Sequence, residues 1–155
     1  KINELSENFN EVVLVNKVFF TEKNKNMNLD NYENVMETYI NKFDKKINII
    51  FIEPTSVFEF GPASCVILDK NCEINLDKGI KYQKKMQRIY NDIAQDRENV
   101  FVFNPNKFLC SDLQCKIYDK KKDFLFYKDN DNLSVEASEF LSKHFDEWTL
   151  KNVFR

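Results

Sequence analysis

Val12, Val13, Leu14 and Val15 form an unbroken apolar run, mostly β-branched, which suits a strand covered on both faces as in a parallel sheet. After Asp30, the residues Tyr32, Val35, Met36, Tyr39, Ile40 and Phe43 recur at helical spacing and predict an amphipathic helix whose aromatics and methionine are core. Residues 47–52 read as a second buried strand. Pro54 ends it, because proline has no amide hydrogen to give to a central strand. Residues 55–78, with Gly61, Pro62 and two cysteines, are expected as a long irregular loop, a kind of segment that often carries function.

Tyr82, Met86, Ile89, Tyr90 and Ile93 predict the next helix, and residues 100–103 the next strand, followed by the turn residues Asn104, Pro105 and Asn106. Residues 116–118 and 124–127 are expected to pair as a hairpin. Ser134 is a preferred N-cap residue, and Val135, Phe140, Leu141, Phe145 and Trp148 recur at helical spacing behind it. Strand and helix thus alternate, which predicts a three-layer α/β/α domain with a mainly parallel sheet and right-handed crossovers. There is no internal repeat or low-complexity linker, so residues 1–155 read as a single domain.

Composition narrows the function classes. With 43% hydrophobic residues and 15 Phe the chain can bury a substantial core. A net charge of −2 argues against a general nucleic-acid binder, which needs a concentrated basic face. The densest positive patch, residues 116–122 with Lys120, Lys121 and Lys122 adjacent, reads as a solvated hairpin tip. No apolar run approaches the roughly 20 residues that cross a bilayer, so this segment is not expected to insert into a membrane by itself. Cys65 and Cys72, and Cys110 and Cys115, bracket turn-prone stretches. Local disulfides are the favoured reading, in an oxidising compartment, because paired ligands of a structural zinc are usually spaced more closely.

The carboxyl-terminal segment carries the candidate chemistry. Tyr127, Lys128, Asp129, Asn130, Asp131, Asn132, Leu133 and Ser134 follow the close cysteine pair and an aromatic strand, and they lead into the last helix. This pattern resembles the Asp-x-x-His-Leu-Ser motif of SGNH-type esterase domains at the carboxyl end of bacterial membrane O-acyltransferases, with Asp129 at the catalytic Asp position and Asn132 at that of the catalytic His. Upstream, residues 10–19 resemble the family's second strand, residues 47–55 its third, and residues 62–72 its cysteine-bearing loop.

The resemblance implies a flavodoxin-like sheet of order 2-1-3-4-5 and a Ser-His-Asp enzyme without cofactor, which moves an acyl group, usually acetyl, from an acylated donor to a polysaccharide on the periplasmic or extracellular face. No Gly-Asp-Ser occurs in the sequence, so the resemblance implies a piece of a larger membrane protein that begins downstream of the serine strand. That strand would be central, and its loss would leave a gap between its neighbours.

Asparagine has no basic nitrogen near neutral pH, so Asn132 cannot take a proton from a serine. The chain itself is therefore expected to be inactive, an altered catalytic domain or a domain kept for glycan or partner binding through the 55–72 segment. The plainer readings are a dipole-stabilising acid for Asp129 and a turn residue for Asn132. Asn16, after the first apolar run, is a candidate oxyanion-hole donor. His144, the sole histidine, falls on the apolar side of the last helix about three turns from Asn132 and is expected to pack. Ser56, Ser64, Ser111 and Ser134 lack the Gly-flanked elbow of a nucleophile. A flavodoxin-like signalling domain shares the alternation, but it needs an acidic pocket at the strand ends, where Glu53 is the sole candidate.

Overall fold

The computed structural model describes residues 11–15, 29–68, 72–81, 84–119, 121 and 123–154. In chain order the elements are β1 (Glu11–Val15), α1 (Leu29–Ile40), β2 (Asn48–Ile52), α2 (Pro62–Leu68), β3 (Glu73–Asn75), α3 (Leu76–Gly79) and α4 (Lys84–Gln95). They continue with β4 (Val100–Phe103), α5 (Asn106–Leu109), β5 (Cys110–Ser111), β6 (Gln114–Lys116), β7 (Tyr118–Asp119), β8 (Phe124–Leu125) and α6 (Val135–Asn152). Two compact units result. Thr55–Lys81 and Asn104–Leu150 make the second, and the remaining residues make the first.

The first unit is an α/β arrangement on a three-stranded parallel sheet of order β1-β2-β4. Ile49, Ile50 and Phe51 of β2 are fully buried, as an all-apolar strand between two parallel neighbours requires. Ile49 and Phe51 join Met36 and Ile40 of α1 and Met86, Ile89, Tyr90 and Ile93 of α4 in one core, as the helical periodicities predict. The Phe51 and Tyr90 rings stack with centroids 4.4 Å apart, and truncating either to Ala costs about 3–5 kcal/mol. Burial pushes the Tyr90 hydroxyl pKa far up, so it stays a neutral donor or acceptor beside Tyr32 Oη at 3.5 Å. Glu53, just past β2, is also buried, and its carboxylate accepts from Gln87 Nε2 at 3.0 Å and Asn91 Nδ2 at 3.2 Å.

The expected gap in the sheet is absent. Val12 to Val15 pair directly with the strand at residues 48–52, Val13 opposite Ile50 and Val15 opposite Ile52. The strands likened to the family's second and third are therefore paired neighbours, with no strand between them.

The second unit has its own core of Phe58, Cys65, Cys72, Cys115, Ile117 and Tyr127. Residues 55–78 are not an irregular loop. They supply α2, β3 and α3, and β3 pairs antiparallel with β6, which pairs with β5. Lys116 consequently faces Glu73, 3.3 Å from its carboxylate, and the expected hairpin shortens to Tyr118 opposite Leu125 and Asp119 opposite Phe124. Disulfides join Cys65 to Cys72 and Cys110 to Cys115, the local pairing.

Ser56, fully buried, ties this unit together. Its backbone N–H donates to Asn106 Oδ1 at 3.1 Å. Its Oγ lies 3.3 Å from the same oxygen and 3.2 Å from Cys115 Sγ. Gly79 packs so closely that an added Cβ would sit 2.9 Å from both Cβ and Oγ of Ser56. Tyr127 is fully buried too. Its hydroxyl lies beside Thr55 and Ser56 without a hydrogen bond of ordinary geometry, and burial raises its pKa well above the usual range.

These contacts set two expectations for stability, both read by chemical denaturation. Gly79→Ala should destabilise by about 1–3 kcal/mol, while Gly61→Ala, in open space, should stay within about 0.5 kcal/mol of wild type. Tyr127→Phe, which removes a buried hydroxyl that makes no hydrogen bond of ordinary geometry among the described residues, should match wild type or exceed it, and a loss above about 1 kcal/mol would show that its contacts with Thr55 and Ser56 act as bonds.

Candidate functional site

Residues 127–134 form a closed corner between β8 and α6. An antiparallel bridge joins Tyr127 to Leu133, and the Lys128 N–H donates to the Asn132 carbonyl at 3.0 Å. Ser134, buried to 3% exposure, fixes the exit as the N-cap of α6, as its residue type predicts. Its Oγ accepts from the Ala137 N–H at 2.9 Å and donates to the Leu125 carbonyl, and its own N–H donates to the Phe126 carbonyl at 3.0 Å. The corner is also held from outside: the Phe58 N–H donates to the Asn130 carbonyl at 2.7 Å, and the Phe58 ring packs edge-on against Tyr127 at 4.8 Å.

Asp129 and Asn132 meet inside this corner. Asp129 Oδ1 accepts from the backbone N–H of Asp131 at 3.0 Å and of Asn132 at 2.7 Å, while Oδ2 accepts from Asn132 Nδ2 at 2.8 Å. The same Nδ2 donates to Asp131 Oδ1 at 3.0 Å, so the carboxamide bridges two carboxylates with its two hydrogens. The Asn132 carboxamide, with the Asp131 backbone amide next, holds the Asp129 carboxyl well below the usual carboxylate range, against burial, which pushes it up. Asp129 is therefore a fixed anion, and Asn132 is a hydrogen-bond donor to it that has no base to offer.

The other candidates lie elsewhere or outside the description. Asn16 is outside the described residues. His144 packs, as its helical position predicts: its ring stacks on Phe108 at 4.6 Å and meets Phe140 edge-on at 4.6 Å. Ser56 is fully buried in its bonds to Asn106 and Cys115, and Ser134 is the helix cap. Asp131 and the brace from Phe58 were not legible in the sequence, because each depends on a turn or an approach that leaves no periodic signal. Beside the corner lies a shallow hollow of about 490 Å³ lined by Lys128, Leu133, Val135, Ser138, Glu139 and Ser142 among others. Among the described residues no group of His, Cys, Asp or Glu is arranged to hold a metal ion, and no helix is long and apolar enough to cross a membrane.

The family model described as "SGNH domain (fused to AT3 domains)" matches residues 1–147. The chain belongs to this SGNH family. Comparison with curated proteins and with solved structures gave no match. The fusion to AT3 acyltransferase domains ties the SGNH domain to membrane-protein surroundings, and its two disulfides fit an extracytoplasmic position.

The low pKa of Asp129 has a consequence for pH. Its folded-state value lies below the unfolded value of about 4, so its contribution to stability is fully present above that pH and is lost as pH falls through the folded value. Wild type and Asp129→Asn, compared by urea denaturation from about pH 7 to about pH 2.5, should differ most at the neutral end, with the difference narrowing as pH falls below about 4. A gap of constant size would show that the ionised carboxylate contributes nothing.

Proposed function

We propose that this chain is the extracytoplasmic domain of a bacterial membrane O-acyltransferase that passes acyl groups, chiefly acetyl, from an acylated donor to hydroxyls of a cell-surface polysaccharide. On this reading it faces the periplasm or the cell exterior, its two units make one domain, and its sheet belongs to a three-layer α/β/α plan. The family match running through both units supports this, as do the parallel sheet and the disulfides.

Asp129 and Asn132 are the aspartate and histidine positions of a proton relay. The observation that carries this assignment is the 2.8 Å bond from Asn132 Nδ2 to Asp129 Oδ2, the contact through which an aspartate would orient an imidazole. In a working relay the aspartate fixes the ring and its tautomer, and the far nitrogen takes the proton of an attacking hydroxyl. Asn132 reproduces the near half of that arrangement and lacks the far half. The chain as it stands is thus inactive in acyl transfer, an altered catalytic domain or one kept for binding its glycan or its membrane partner through the 55–72 segment. A phosphate-accepting signalling role is disfavoured, since Glu53, the acid at the end of β2, is engaged by Gln87 and Asn91.

Introducing Asn132→His into the whole parent protein and measuring hydrolysis of an acetylated sugar tests the assignment. The variant should gain about 10²-fold or more over wild type, in the range of one general base, and adding Asp129→Asn should remove most of the gain. No gain, with the variant folded, would overturn the relay assignment.

A further inference from the structure

We propose that the Cys110–Cys115 disulfide is a directional thiol-exchange site, at which an incoming thiolate attacks Cys110 Sγ and Cys115 leaves as the thiolate. The two cysteines differ in access. Cys115 is fully buried, whereas Cys110 is partly exposed and lines an open hollow of about 320 Å³ with Asn104, Lys107, Asp112 and Leu113. The Lys107 ammonium favours an approaching thiolate there, and the Asp112 carboxylate opposes it. In the other disulfide both partners are buried, at 4% for Cys65 and 9% for Cys72.

The sulfurs differ in electrostatics as well. Asn106 is oriented by the Ser56 N–H, which can only donate, so its carbonyl oxygen faces this cluster. That oxygen lies 3.9 Å from Cys110 Sγ, and an acceptor there disfavours negative charge on that sulfur. Cys115 Sγ instead faces a donor, Ser56 Oγ at 3.2 Å. The hydroxyl shares its single hydrogen between Asn106 Oδ1 and Cys115 Sγ in the disulfide form. Once Cys115 is anionic it is the stronger acceptor, and the hydroxyl turns to it. Burial opposes the anion, and this bond offsets part of that cost. A leaving thiolate that is stabilised leaves faster.

The exchange balances without any other reagent. The bond from the entering sulfur to Cys110 forms as the Cys110–Cys115 bond breaks, and the electron pair stays on Cys115. With a dithiol partner, its second thiolate attacks the entering sulfur and releases Cys110. The dithiol is oxidised by two electrons, the protein pair is reduced, and both new thiolates take protons from water. The ligand is thus a thiolate, carried by a small monothiol or by a dithiol oxidoreductase.

The test uses the whole oxidised chain under native conditions, with glutathione in one arm and a thioredoxin-type dithiol protein in the other, then iodoacetamide and peptide mass spectrometry. Glutathione should be found on Cys110 with alkylated Cys115, in roughly tenfold excess over the reverse adduct. The dithiol protein should free Cys110 and Cys115 while Cys65 and Cys72 stay joined. Ser56→Ala should reduce the excess several-fold. If that variant does not fold, the partition in wild type decides alone. Equal or reversed adducts, earlier opening of Cys65–Cys72, or opening only in denaturant would each overturn the proposal.

Discussion

An ionised carboxylate with nearly every lone pair in use is what turns residues 127–133 from a polar loop into a fixed corner. Asp129 accepts two backbone N–H groups and one carboxamide hydrogen, all from Asp131 and Asn132. Charge-assisted bonds of this kind are stronger than neutral ones, and here they define the path of the chain. The cap of α6 and the bridge from Tyr127 to Leu133 then follow within a few residues. The candidate chemistry and the local architecture are therefore one arrangement. An acid that would orient a base in a relay is also the acid that folds the turn holding it.

Beneath the corner, the segment after β2 acts as a brace. Ser56 is locked by Asn106, by the sulfur of Cys115 and by the bare face of Gly79, and two residues further on Phe58 grips the carbonyl of Asn130. The second unit thus joins its disulfide hairpin to the corner through three consecutive residues, 56–58. The hairpin is itself unusual. Asp112 and Leu113 both have positive φ, at 49° and 61°, which a two-residue hairpin turn demands and which Asn-Gly satisfies far more readily than Asp-Leu. A leucine held there, 66% exposed, is under local strain.

What the sequence made legible was what repeats. The apolar runs at Val12 to Val15 and at residues 47–52, the four-residue rhythm of Met86, Ile89, Tyr90 and Ile93, and the cap at Ser134 each carry a local signal, and each element stands where that signal predicts. The cysteine spacing likewise predicted the pairing that forms. Residues 55–78 were misread because their order comes from afar. β3 is three residues long, too short for any period, and it exists because β6, some forty positions later, completes its ladder. The same distant pairing drew Lys116 away from the expected hairpin. The Asp129–Asn132 pair was legible by type and spacing, but Asp131 as the second acceptor of the carboxamide was not, since nothing in the sequence says which way a side chain in a turn will point.

The bridging carboxamide bears on how this corner can change over generations. Histidine and asparagine codons differ at a single base, and the bond to Asp129 is one that either side chain can donate. Exchanging Asn132 for histidine would therefore keep the two backbone bonds to Asp129 and one side-chain bond, and would give up the tie to Asp131, since a neutral imidazole has a single N–H. A single base change at this position would thus alter the chemistry of the corner while leaving most of its scaffold standing.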